Sequence, residues 1–311
     1  MNRNSPYYRQ VSLLIRCLPL ISEEDCFALK GGTAINLFVQ DFPRLSVDID
    51  LAYLPFEPRQ EALENIRNRL GIIADRIERT SGLSAALQDN NPDEMRIIVS
   101  SSDRGTSAAQ IKIEVSPVAR GTLFEPSQLD VVNQVEDEFG FATIKVVSIP
   151  DLYGGKLCAA LDRQHPRDLF DVAMLLKSNG IDRLTFDGFL AYLLSHNRPI
   201  SEIMNPRWKE FSGLYKNEFA GMTFQEFSLD ELNQVPLQML NALKTHFTQQ
   251  DYDFLASFKS GDPQWDLAPS DNLHRLPAVQ WKLLNIQKMS SGKREKSLAT
   301  LESAISDWLS Q

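Results

Sequence analysis

Between Leu45 and Tyr53 the chain alternates with a period of two: Leu45, Val47, Ile49 and Leu51 take one phase, Ser46, Asp48, Asp50 and Ala52 the other. Successive side chains of a strand point to opposite faces, so this segment is a half-buried strand, apolar towards a core and acidic on its other side. Pro55 and Pro58 end it, and the apolar spacing from Arg59 to Glu78 predicts an amphipathic helix. Upstream, Val11 to Leu20 is helix-compatible and broken by Pro19, with Ser22 as an N-cap ahead of acids. Phe27-Ala28-Leu29 runs into Gly31-Gly32, suited to a tight turn, and Thr33 to Val39 fits one or two helical turns. Downstream, Met95 to Val99 and Gln110 to Val115 are strand-like, and the polar stretch Ser100 to Ser107 between them makes a hairpin. Phe141 to Ser148 is a further strand. From Pro150 the pattern turns helical, as in Asp151 to Leu161, Arg167 to Lys177, Leu237 to Thr248 and Leu298 to Leu309. The expected architecture is an α/β (α+β) domain over residues 1–180, followed by a mostly helical domain over 181–311.

A chain of 311 residues, 43% hydrophobic and 23% charged, is long enough to bury two cores, which excludes a disordered tail, a collagen-like fibre and a disulfide scaffold. Its net charge of −9 excludes a broadly basic nucleic-acid-coating surface and leaves room for a local basic groove. Cys17, Cys26 and Cys158 are an odd set without a C-x-x-C pair, and read as buried thiols of a reducing compartment. His165, His196, His246 and His274 lack metal-ligand spacing. No apolar run reaches the length of a membrane span, so a cytoplasmic protein with no membrane partner is expected. Trp208, Trp265, Trp281 and Trp308 are expected as core anchors.

The acidic strand carries the chemistry. Residues i and i+2 share a strand face, so Asp48 and Asp50 project side by side with Ser46 in line behind them. Two like charges so close raise each other's pKa unless a cation neutralises them, and Mg²⁺ prefers such oxygen donors. The Gly31-Gly32-Thr33 turn opens a helix and is suited to holding phosphate through backbone N–H groups and a hydroxyl. Lys112 and Glu114 occupy the polar phase of a strand whose other face is Ile111, Ile113 and Val115, so Glu114 is either a third metal-binding carboxylate or a solvated strand residue. Lys156 and Arg163 share one helix face, and Asp168 and Asp171 lie three apart on the next, a group equally consistent with surface ion pairing.

Four segments in this order resemble the DNA polymerase β-type nucleotidyltransferase superfamily, and within it the AbiEii/AbiGii toxin family: Leu29-Lys30-Gly31-Gly32-Thr33-Ala34, Arg44 to Leu51, Ile111-Lys112-Ile113-Glu114, and Asp151 to Asp171. The resemblance covers most of residues 20–180 and implies a nucleotidyltransferase-fold mixed sheet with flanking helices as the catalytic domain. It implies that Gly31, Gly32, Thr33 and Ser46 hold the phosphates of a nucleoside triphosphate and that Asp48 and Asp50 ligate Mg²⁺. Glu114 would complete a second metal site or accept the attacking proton. Lys156 would stabilise phosphate charge, with Asp168, chosen over Asp171, orienting it or touching nucleotide or acceptor. The implied activity is NMP transfer to RNA, the tRNA acceptor end first, by a toxin of a toxin–antitoxin or phage-defence system paired with a regulator antitoxin. NMP transfer to a protein side chain and an inert nucleotide-binding module are the alternatives. Cations for an RNA acceptor are sought among Arg67, Arg69, Arg76 and Arg79, or Lys288, Lys293, Arg294 and Lys296.

Overall fold

The structure, a computed structural model, describes residues 6–91, 94–101 and 109–309. The chain separates into two compact units, Met1–Ser148 with Gly221–Glu226, and Ile149–Ala220 with Phe227–Gln311. The 1–180 span of the sequence analysis therefore extends into the second unit.

The first unit runs α1 (Pro6–Ser22), β1 (Phe27–Lys30), α2 (Gly31–Ala34), a π-helical turn (Ile35–Val39), β2 (Asp48–Tyr53), α3 (Arg59–Glu78), β3 (Leu83–Asn91), β4 (Glu94–Ser101), β5 (Gln110–Val115), β6 (Ser127–Asp130), α4 (Asn133–Phe139) and β7 (Thr143–Val146). The strands form one mixed sheet in the order β3-β4-β5-β2-β1-β7-β6. β2 runs parallel to β5, and β1 parallel to β7, while the other neighbours are antiparallel. The period-two pattern has its expected result: Ile49, Leu51, Ile111, Ile113 and Val115 are buried in the core, which α1 and α3 complete with Leu14, Leu18, Ile66, Leu70 and Ile73. Burial of such side chains, at about 25 cal/mol per Å² of apolar surface, fixes which face of the sheet is left for chemistry.

Three expectations are corrected. β2 begins at Asp48 rather than Leu45, because Arg44 bridges to Thr223 and the Leu45 N–H donates to the Met222 carbonyl (2.9 Å), which draws residues 44–45 out of the sheet. α1 continues through Pro19, which removes a single donor one turn from the helix end. Ser22 therefore closes that helix, its hydroxyl donating to the Pro19 carbonyl (2.9 Å), and does not start another. β4 and β5 pair antiparallel as a hairpin requires; residues 102–107 of the expected turn lie outside the described residues.

The second unit is helical: α5 (Ile149–Asp162), α6 (Pro166–Lys177), α7 (Arg183–Ser195), α8 (Ile200–Met204), α9 (Ser212–Glu218), α10 (Leu229–Lys244), α11 (Gln249–Ser260), α12 (Pro277–Gln287) and α13 (Ser291–Ile305). α5 and α7 meet backbone to backbone, since a β-carbon on Gly154 would strike Gly188 and one on Gly188 would strike Pro150. Side chains start these helices: Asp182 caps α7, and capping boxes Ser228/Glu231 and Thr248/Asp251 open α10 and α11. Trp308 is buried against Phe247, and Trp265 packs on Phe254 and Phe258, as core anchors do. Trp208 and Trp281 correct that expectation, being 42% and 56% exposed. Cys17 and Cys158 are buried free thiols pushed up to about 12 by desolvation, and Cys26 is half-buried. Among the described residues no helix is long and apolar enough to cross a membrane.

Candidate active site

The register of the sheet assembles the acidic face. Asp50 of β2 stands opposite Lys30 of β1 and beside Glu114 of β5, and Glu114 stands opposite Arg96 of β4. One residue row thus runs Lys30–Asp50–Glu114–Arg96 across four strands. Two residues along, Asp48 stands beside Lys112 on the same face. A cavity of about 310 Å³ opens on the longer row, lined by Lys30, Asp50, Arg96 and Glu114 with Met95 and Ser116.

Every acid on this face has a cation near it. The Lys112 ammonium lies 3.3 Å from Glu114 Oε1 and 3.8 Å from Asp48 Oδ1, and an Arg96 guanidinium nitrogen lies 3.8 Å from Glu114 Oε1. Burial lowers the Lys30 ammonium pKa below its ordinary value, and the Asp50 charge opposes that shift. Lys30 and Arg96 were not singled out from the sequence, because their places depend on strand pairing and not on local spacing.

The Gly-Gly turn is shaped by this face. Gly31 has φ +75°, and a β-carbon there would lie 2.5 Å from Asp50 Oδ2. A β-carbon on Gly32 would lie 2.6 Å from a nitrogen of the buried Arg44 guanidinium and 3.1 Å from Ser46 Oγ. Both glycines therefore make room, one for an acid and one for a cation. The Thr33 hydroxyl donates to the Asp48 carbonyl (2.5 Å) and lies 3.0 Å from the Ser46 hydroxyl, so the turn is tied to the start of β2. Gly31, Gly32, Thr33, Ser46, Asp48, Asp50 and Glu114 are thus brought together in the first unit.

Lys156, Asp168 and Asp171 are brought together in the second. The Lys156 ammonium on α5 lies 2.9 Å from a carboxylate oxygen of each aspartate on α6, and all three side chains are buried. Arg163, 62% exposed, forks onto Asp168 through Nε and through Nη2 (2.8 Å). Burial alone would push the Asp168 carboxyl up; Lys156 and Arg163 outweigh it and hold the group well below the usual carboxylate range. Asp168 and Asp171 share the holding of Lys156, so the geometry does not single out Asp168.

For a divalent cation, the donor chemistry of the sheet face fits, since all three carboxylates offer hard oxygen atoms on one surface. Among the described residues no three acids converge on one point, and Lys112 stands between two of them. The basic groups considered for an acceptor also separate. Arg69 and Arg76 of α3 are engaged by Glu23 and Glu24. Lys288 lies over the exposed Trp281 ring (5.9 Å to its centroid), and Lys293, Arg294 and Lys296 follow on α13.

A mixed sheet carrying paired carboxylates beside a Gly-Gly turn is the arrangement that the nucleotidyltransferase resemblance implies. The family profile described as nucleotidyl transferase AbiEii toxin, type IV toxin–antitoxin system, matches residues 12–285, and the chain belongs to that family. It is accordingly an NTP-dependent nucleotidyltransferase toxin, and membership implies an antitoxin partner. Among solved structures it is similar to MenT4, a nucleotidyltransferase toxin from Mycobacterium tuberculosis, with 15% identity, a TM-score of 0.62, and coverage of 97% of this chain and 95% of that one. That likeness is one of fold. A search of curated proteins found no match.

Proposed function

We propose that the chain transfers NMP from an NTP to RNA in a Mg²⁺-dependent reaction, with the acceptor end of tRNA as the first substrate to test. Asp48 and Asp50 are the metal ligands in this reading, with Glu114 completing the set or taking the acceptor proton. A divalent ion held by these carboxylates would supply charge neutralisation at the α-phosphate. Gly31, Gly32, Thr33 and Ser46 bind the phosphates, and the hydrogen bond from Thr33 to the Asp48 carbonyl keeps that turn in step with the acids. Lys156, which the resemblance assigns to phosphate charge, is buried and held by Asp168 and Asp171, so its role in this reading is to fix α5 against α6 within the second unit. The acceptor hydroxyl forms a bond to the α-phosphorus as the α–β bridging bond breaks, pyrophosphate leaves, and the hydroxyl proton passes to the base.

The observation that carries this reading is the one-face register of Asp48, Asp50 and Glu114, with Gly31 shaped to admit the Asp50 carboxylate. The reading predicts that α-labelled NTPs incubated with total RNA and cell protein label tRNA, and that Asp48→Asn lowers incorporation by at least about a hundredfold. Label that appears in protein and not in RNA overturns the acceptor assignment, and an Asp48→Asn enzyme at full rate overturns the chemistry.

A further inference from the structure

Between Asp48 and Glu114, two of the acids assigned above to a divalent ion, stands a basic side chain of the protein. The Lys112 ammonium is 3.8 Å from one carboxylate and 3.3 Å from the other. These contacts are loose: Lys112 is 42% exposed and both acids are 36% exposed, conditions under which an ion pair contributes little and its long flexible arm moves freely. The face as a whole is balanced, with Asp48, Asp50 and Glu114 set against Lys30, Lys112 and Arg96. A neutral cluster has a weak field with which to draw in a bare divalent ion, and such an ion would also meet the repulsion of the ammonium.

We propose that Lys112 is a built-in counter-cation that partners Asp48 and Glu114 in the free protein and yields them only when metal and triphosphate arrive together. The exchange is of partners alone. The carboxylates pass from the ammonium to the metal, and the ammonium passes from the carboxylates to the triphosphate, so each keeps a partner of opposite charge. The consequence is coupling: metal and nucleotide each bind poorly alone and well together. The free protein is thereby kept from holding a metal-loaded site without its substrate. This rests on the reading of Asp48 as a metal ligand given above.

The test is binding, read apart from catalysis. Mn²⁺ is titrated by the loss of its free electron paramagnetic resonance signal, with and without the α,β-methylene analogues of ATP, GTP, CTP and UTP. Analogue binding is followed by equilibrium dialysis in the presence of Mn²⁺. Lys112→Met should bind Mn²⁺ alone about tenfold more tightly than wild type and bind its analogue about tenfold more weakly, two effects of opposite sign from one change. Lys112→Arg, which keeps the charge, should stay within about threefold of wild type for Mn²⁺ alone. Unchanged or weaker Mn²⁺ binding by Lys112→Met overturns the proposal, as does unchanged analogue binding. Asp48→Asn separates the two levels: if it leaves Mn²⁺ binding intact, the metal reading falls and takes this inference with it, whereas if it abolishes binding the Lys112 results alone decide.

Discussion

Two lysines of this molecule each sit between two carboxylates, and they are built to opposite ends. Lys112 lies on a sheet face, 3.3 and 3.8 Å from Glu114 and Asp48, with all three side chains more than one-third exposed. Lys156 lies inside the helical unit, 2.9 Å from both Asp168 and Asp171, with none of the three more than 6% exposed. Coulomb attraction favours both. What differs is water. At the sheet face the solvent screens each pair and competes for each partner, so the lysine is exchangeable. In the helical unit the groups have been desolvated, and removing one takes from a buried charge a partner that water cannot readily replace. The same residue pattern therefore makes a labile centre in one place and a fixed strut in the other.

The contrast predicts a steep hierarchy of stabilities. Lys156→Met should be the most damaging change, costing about 3–5 kcal/mol by urea unfolding, because two buried carboxylates lose their shared cation. A loss below about 1 kcal/mol would abolish the distinction drawn here. Asp168→Asn should cost less, about 2 kcal/mol, since Asp171 still holds Lys156 while the solvent-facing Arg163 loses its fork. It should also change the shape of the pH profile. The folded-state pKa of Asp168 is depressed, so its stabilisation is complete above the ordinary carboxylate pKa and is lost as the pH falls through that value towards the depressed one. The mutant should have a flatter acid limb, and melts recorded between about pH 2 and pH 7 would show it. Lys112→Met should be the mildest, within about 0.5 kcal/mol of wild type in the same melts, even as its ion binding changes.

How far these features could be read in advance depends on range. The acidic face of β2 follows from a period of two, and α3 was bounded correctly at Arg59 and Glu78 because Pro58 precedes a continuous apolar stripe. Lys112 and Glu114 were assigned to one polar phase, but the parallel register that sets Lys112 beside Asp48 joins residues more than sixty positions apart and leaves no local trace. β3 was missed for a related reason. Its segment Ser84 to Asn91 is Ala-rich and polar without β-branched residues, and it is held as an edge by pairing with β4. Leu45 has the phase of a strand residue, yet Met222, distant in sequence, takes its N–H. Lys156 looked like half of a surface pair because charge spacing on a helix does not reveal which face another helix will cover.

Gly31 has a consequence for anyone mapping this enzyme by substitution. Alanine at that position would displace a carboxylate, since its methyl group falls within 2.5 Å of Asp50 Oδ2, and it would also have to accept a left-handed backbone. A dead Gly31→Ala variant would therefore be wrongly scored as proof of a phosphate contact. If Asp50 ligates the metal as proposed, its first symptom should be weaker Mn²⁺ binding in the presence of a nucleotide analogue.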